Sequence, residues 1–184
     1  LKDRDLRRFF IAVFFSVHGI WIQRVTMGWL AWEMTGSAAF VGVVSGLSLA
    51  PALVIGPLFG VMADRIDIRR ASLTTNAGMA TVLALLALFL TQTGPFGLVL
   101  AAASIGVISA AHHPVRMSLG PRLATAEQLP HLVTLTALNF NIGRMTAPVL
   151  AGFVIATNGA ELALWLAVAC FVPMLSVLPG LHPR

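Results

Sequence analysis

Six apolar runs dictate what this chain can fold into. They lie at about residues 8–33, 38–62, 71–91, 96–117, 132–156 and 161–180. Each is long enough to cross a hydrocarbon core of about 30 Å, which takes roughly 20 apolar residues in a helix. Barrel strands would be about half that length and would alternate in polarity. Only 10% of the residues are charged, where soluble domains average about 25%. The chain is therefore expected to be an all-α integral membrane protein, a single six-helix transmembrane domain over residues 1–184.

The joints between the runs carry turn chemistry: Thr35-Gly36-Ser37, Thr93-Gly94-Pro95 and Asn158-Gly159. Their cations alternate. Lys2, Arg4, Arg7 and Arg8 open the chain, Arg65, Arg69 and Arg70 follow the second run, Arg116 and Arg122 follow the fourth, and Arg184 ends it. The joints after the first, third and fifth runs hold no Lys or Arg. Cytoplasmic loops collect Lys and Arg, so both termini are expected in the cytoplasm, in a plasma membrane of the bacterial inner-membrane kind. Trp29, Trp32 and Trp165 fall near the outer ends of the first and last runs, as an aromatic belt requires.

Several function classes drop out. The pI near 11.4 reflects scattered basic residues, with no continuous basic face, so no nucleic-acid partner is expected. The single Cys170 makes no disulfide framework. No Gly-rich phosphate loop with its Lys is present, which argues against ATP use. No cofactor, metal or enzymatic activity is expected. An intramembrane protease stays as a remote alternative. It would need a serine nucleophile and a histidine base in adjacent spans, and the last run, beyond Ser45 of "GVVSG", holds no histidine.

One stretch resists the apolar background. "GVMADRIDIRR", residues 60–70, packs Asp64, Arg65, Asp67, Arg69 and Arg70 together. Membrane anchoring accounts for the arginines but not for the acids, which contribute little to orientation. Gly60 sits one helical turn before Asp64, where a small residue allows helices to approach. This pattern resembles the signature between the second and third spans of the major facilitator superfamily: a Gly, an Asp four residues on, an Arg, then a basic pair. Asp67 stands where that family usually has a second Gly, and Ile68 where a basic residue is common. "WIQRVTMGWLAWEMTGSA", "PALVIGPLFGVMADR", "HHPVR" and "LNFNIGRMTAPVLAGFVIA", in that order, are similar to a branch of drug and siderophore exporters that includes the enterobactin exporter. The last of these also resembles an antiporter motif, here Gly143, Ala147-Pro148 and Ala151-Gly152, with two alanines in place of glycines.

The resemblance implies the N-terminal half of a two-half transporter, built as two inverted three-helix repeats. No such symmetry is visible in the sequence itself. It implies a small-molecule substrate, a lipid bilayer around the helices, and a C-terminal six-helix half in the same chain or in a second subunit. The start at Leu1 rather than Met makes truncation the expectation. It also implies proton-coupled export by alternating access, with Asp64 as the acid of a cytoplasmic latch, Arg65 and Arg69 beside it, and Arg116 as its partner from the fourth span. An importer of a small metabolite or sugar fits the same topology.

Polar residues inside the spans name a candidate cavity. Arg24 and Arg144 lie within apolar runs, where each costs roughly 2.5–3.5 kcal/mol on insertion scales, so each marks function by default. Gln23 adjoins Arg24. Asn141 and Arg144 are three residues apart and share a helix face, whereas Asn139 points elsewhere. Glu33, Asp64, Asp67, Glu127 and Glu161 all lie at joints. Buried arginines without buried acids favour an anionic or phenolic substrate over a cationic drug. With no carboxylate deep in a span, His18 is the candidate proton relay, and His112 and His113 are expected at the interface. Asp64→Asn should cut transport while leaving membrane abundance unchanged, measured by export and immunoblot on the same cells; full transport in that variant would remove the latch.

Overall fold

Turn residues set the helix ends. Gly36 and Gly159 adopt positive φ, at +60° and +88°, a region that costs glycine nothing and other residues much. Their N–H groups close the preceding helices on the carbonyls of Trp32 (2.7 Å) and Ile155 (3.0 Å). Pro95 follows Gly94 at the first turn of its helix, where its missing N–H would have had no partner. A third start is fixed by Asp67, whose carboxylate accepts the N–H groups of Arg69 (3.0 Å) and Arg70 (3.2 Å). That cap begins the third helix at Ile68, ahead of its apolar run.

The result, in a computed structural model that describes residues 4–62 and 66–180, is all α-helical among those residues. The helices are α1 (Arg4–Thr35), α2 (Ala38–Met62), α3 (Ile68–Leu88), α4 (Pro95–Leu123), α5 (Leu129–Asn158) and α6 (Ala160–Val177), with single turns of 3-10 helix at Ala126–Gln128 and Leu178–Gly180. Among the described residues, six segments are long and apolar enough to cross a membrane. Helix α4 continues past its apolar run to Leu123, so Arg116 and Arg122 ride on the helix rather than in a joint.

Packing reveals the repeat that the sequence conceals. The dominant pairs are α2 with α4, α1 with α6 and α5, and α3 with α6 and α4. Exchanging α1 with α4, α2 with α5 and α3 with α6 maps α2–α4 onto α5–α1, maps α1–α6 onto α4–α3, and returns α3–α6 to itself. Successive spans alternate in direction, so α1 and α4 run opposite ways and the two halves are inverted. Helix α1 is the most enclosed, while α2 and α5 lie at the flanks with broad exposed apolar faces.

Two apolar clusters fill the interior. One joins Leu6, Phe9, Val13, Val115, Leu119 and Met174 toward the end that carries the termini. The other joins Ile22, Leu30, Met79, Leu83, Leu98 and Phe171 toward the far end. Ser16, His18, Asn76 and His112 are buried at the level between them. The α2–α4 pair is the tightest seam: a Cβ added at Gly106 would strike the Leu47 carbonyl and come within 2.9 Å of Pro51 Cγ. Overpacking of this kind costs about 1–3 kcal/mol. Gly106→Ala should lower the thermal unfolding midpoint of detergent-purified protein, whereas Gly28→Ala, with nothing within 4 Å, should not.

Candidate functional site

Helices α4 and α5 scarcely touch, and a cleft of about 390 Å³ opens between them with α1 as its floor. Its wall is mostly apolar, from Phe9, Val13, Met117, Leu132 and Phe140, with His113, Arg116, Thr136 and Asn141 as the polar groups. A concave apolar surface with a few convergent polar groups is the usual form of a small-molecule site. Arg116 is partly buried, and its Nε has no hydrogen-bond partner. Arg116, the expected latch partner from the fourth span, lines this cleft, and Asp64 lies outside the described residues.

Arg24 turns toward the same region. Its guanidinium lies over the Trp21 ring, 4.8 Å from the centroid, so it reaches back along α1 rather than out to the far surface, the direction helical side chains favour. The cation–π contact holds it there. Trp21 in turn meets Phe140 of the cleft wall edge-on at 5.9 Å. His113 lies within electrostatic reach of both Arg116 and Arg24. Gln23 and Arg24 also line a smaller recess of about 150 Å³ against Ser45 and Ser48 of α2. Gln23 is 2% exposed, and its Nε2, like Trp21 Nε1, has no partner.

On α5, Asn141 reaches the cleft, and its Nδ2 donates to the Ala137 carbonyl at 2.9 Å. Arg144, one turn further, is exposed and lines none of these recesses. Asn139 faces a separate crevice beside Phe10 and Phe14 of α1. His18 is held at both ring nitrogens, with Nδ1 2.8 Å from the Phe14 carbonyl and Nε2 2.9 Å from Thr146 Oγ1.

A polar cluster not singled out from sequence lies beneath the cleft. Asn76 Oδ1 accepts from Ser16 Oγ at 3.3 Å and faces His112 Nε2 at 3.4 Å, while its Nδ2 donates to the Ser72 carbonyl at 2.8 Å. His112 is 4% exposed, so it ties α1, α3 and α4 together inside the bundle instead of sitting at the interface. The signal available was Asn76 itself, a polar side chain mid-way along an apolar run. Among the described residues no three His, Cys, Asp or Glu side chains converge to hold a metal.

Comparison with known proteins settles the family. A family model described as transmembrane secretion effector, within the major facilitator superfamily, matches residues 1–183. The chain belongs to that family. It is also 25% identical over 175 residues to the staphyloferrin A transporter of Staphylococcus aureus, covering 93% of this chain and 44% of the relative. It thus spans less than half the length of that relative.

As a major facilitator half, the chain can be read motif by motif. Gly60 lies in the last turn of α2, and Asp64 and Arg65 fall outside the described residues. Asp67, where the family usually has glycine, caps α3 and pairs with Arg70 Nε at 3.2 Å. The Arg69 guanidinium donates to the Pro179 carbonyl, tying the start of α3 to the end of α6. The antiporter-like stretch divides. Gly143, Ala147 and Ala151 form a buried stripe, and Gly143 meets α1 directly, whereas Pro148 is half-buried and Gly152 faces open space. The polar cluster gives a stability test. Asn76→Leu strips the Ser16 hydroxyl and His112 Nε2 of their shared acceptor, and should cost about 1–3 kcal/mol, read as a lower unfolding midpoint in detergent.

Proposed function

We propose that this chain is one half of a secondary transporter that exports a siderophore-like organic anion, carrying carboxylate or phenolate groups, by proton-coupled alternating access through the α1–α4–α5 cleft. One observation carries the reading. Among the described residues, the buried side-chain polar atoms left without partners are three donors, Trp21 Nε1, Gln23 Nε2 and Arg116 Nε, against a single acceptor, Asn139 Oδ1; of the donors, Arg116 lines the cleft and Gln23 the α1–α2 recess. A buried donor left unpaired costs about 1–3 kcal/mol, and an acceptor-rich ligand removes that cost. Arg24 adds a further cation with no ion-pair partner among the described residues.

Arginine suits the task because its planar fork matches carboxylates and its face stacks on aromatic rings. A cationic drug would meet Arg24 and Arg116 with no acid from α1, α4 or α5 on the described cleft wall. The staphyloferrin A transporter among its relatives supports a siderophore-like cargo. A second six-helix half would cover the exposed apolar faces of α2 and α5, and place the cargo between the halves near the midplane. Asp64 remains the proposed latch acid, with Arg65, Arg69 and Arg116 as its neighbours; Arg144 is the proposed outer continuation of the Asn141 face.

The test uses the full-length transporter and 2,3-dihydroxybenzoate as the probe, with quenching of intrinsic tryptophan fluorescence as the readout. Arg116→Gln and Arg24→Gln should each weaken binding by about 10- to 100-fold, the loss of one hydrogen bond to a charged group. Strong transport of ethidium that is indifferent to Arg116 would sink the anion reading. Accumulation in right-side-out rather than everted vesicles would make the protein an importer.

A further inference from the structure

We infer that His18 and Thr146 form the proton-binding site of this half, one that takes up and releases a proton without losing a hydrogen bond at the α1–α5 contact. The inference deepens the proposal above. Its role in coupling rests on that reading, whereas the protonation itself does not.

Hydrogen-bond accounting carries the argument. A carbonyl can only accept, so the Phe14 carbonyl, 2.8 Å away, keeps a proton on His18 Nδ1 in every state. Nε2 faces Thr146 Oγ1 at 2.9 Å. That same hydroxyl lies 2.8 Å from the Ile142 carbonyl and has one hydrogen to give. With His18 neutral, the hydroxyl hydrogen points to Nε2. With His18 protonated, Nε2–H donates to Oγ1, and the hydroxyl hydrogen turns to the Ile142 carbonyl. Adding one proton at Nε2 and rotating one O–H therefore interconverts two states in which every donor is paired. Buried polar groups are costly only when unpaired, and neither state leaves a donor of the buried His18 ring so, Thr146 itself being exposed on α5.

The site lies where α5 is weakest. Pro148 has no N–H, so the Arg144 carbonyl one turn earlier lacks its helical partner. Thr146 sits two residues before that proline. Gly143 brings α5 close enough for the contact: a Cβ there would lie 2.6 Å from Val17 Cγ1 and 3.6 Å from His18 Nδ1. The proton state of His18 thus decides which bond Thr146 makes beside the break in its own helix.

The surroundings leave histidine to do this work. Charged or titratable groups on the helices around it include Arg144, exposed on α5, Cys170 of α6 beside Gly19, and His112, joined to α1 through Asn76 and Ser16. The described acids, Asp5, Glu33, Asp67, Glu127 and Glu161, all sit at helix ends or in the short turn before α5.

Nitrogen NMR of the histidine-labelled full-length transporter in bilayers, without substrate, tests the site, with the His18 signals assigned by their loss in His18→Gln. The neutral ring should carry its proton on Nδ1, and a second, gained reversibly on acidification, should sit on Nε2. Thr146→Ser, which keeps the hydroxyl, should titrate as the wild type does. Thr146→Val should hold the proton about tenfold less tightly, because the bond to the charged ring is the stronger of the two lost. A ring that stays neutral throughout, or one indifferent to Thr146→Val, overturns the site. Should Thr146→Val fail to assemble, the wild-type neutral ring decides: a proton on Nδ1 supports the site and one on Nε2 overturns it. No substrate is present, so a failed anion-binding test leaves this result standing, and the reverse holds too.

Discussion

A polar group shut inside this bundle has no water to fall back on, and the rest of the structure follows from how each one is partnered. In hydrocarbon the backbone itself must be satisfied within each segment, which is why the apolar runs become helices. The side chains obey the same rule at the level between the two apolar clusters, where Ser16, Ser72, Asn76 and His112 pair with one another and His18 pairs with Thr146. Against that background the unpaired donors at Trp21, Gln23 and Arg116 stand out. Asn139 Oδ1 is the one acceptor left beside them among the described residues, and a fold that otherwise partners its buried side chains has reason to keep the donors for something that arrives and leaves.

The helices and their turns were legible in the sequence because their causes are local. Run length alone separates spanning helices from strands, and Gly36, Gly94-Pro95 and Gly159 mark boundaries by backbone chemistry that needs no tertiary context. Boundaries set by side chains were harder: Asp67 reads as one more charge in a knot, and only its geometry shows it capping α3. The family was legible for a different reason. Its motifs lie in order along the chain, and the residues 1–183 that match the transmembrane secretion effector model include all of them.

The site was only half legible. Arg24, Gln23 and Asn141 drew notice because polar residues in apolar runs are rare enough to question one at a time. Trp21 and Asn76 escaped because each has an innocent reading alone, the first as an interfacial aromatic and the second as a packed amide. What gives them meaning is the neighbour: Phe140 and Arg24 for Trp21, Ser16 and His112 for Asn76. Apart from Arg24 and Trp21, those contacts join residues 36 or more positions apart in the sequence, and a single sequence carries no record of them. Arg144 lies apart from these. Its cost in a membrane singled it out, yet it lines neither the cleft nor the α1–α2 recess.

Helix α1 explains why these features can act together. At about 100° per residue, Ser16, His18 and Arg24 point in three different directions, toward α3 and α4, toward α5, and toward the cleft. A helix with neighbours on several sides has no single buried face, and the polar residues of α1 accordingly show no stripe. Enclosure also means that α1 cannot shift against one neighbour alone. The His18 contact holds α5 beside its proline, the Trp21–Phe140 contact holds the same helix further back, and both are anchored on α1. Thr146 and Phe140 both precede Pro148 on α5, so the partner of the histidine and the partner of Trp21 share one helical segment. Two sites on one helix pair need no separate pathway between them: the width of the cleft and the bonding of the histidine are set by the same contact between α1 and α5.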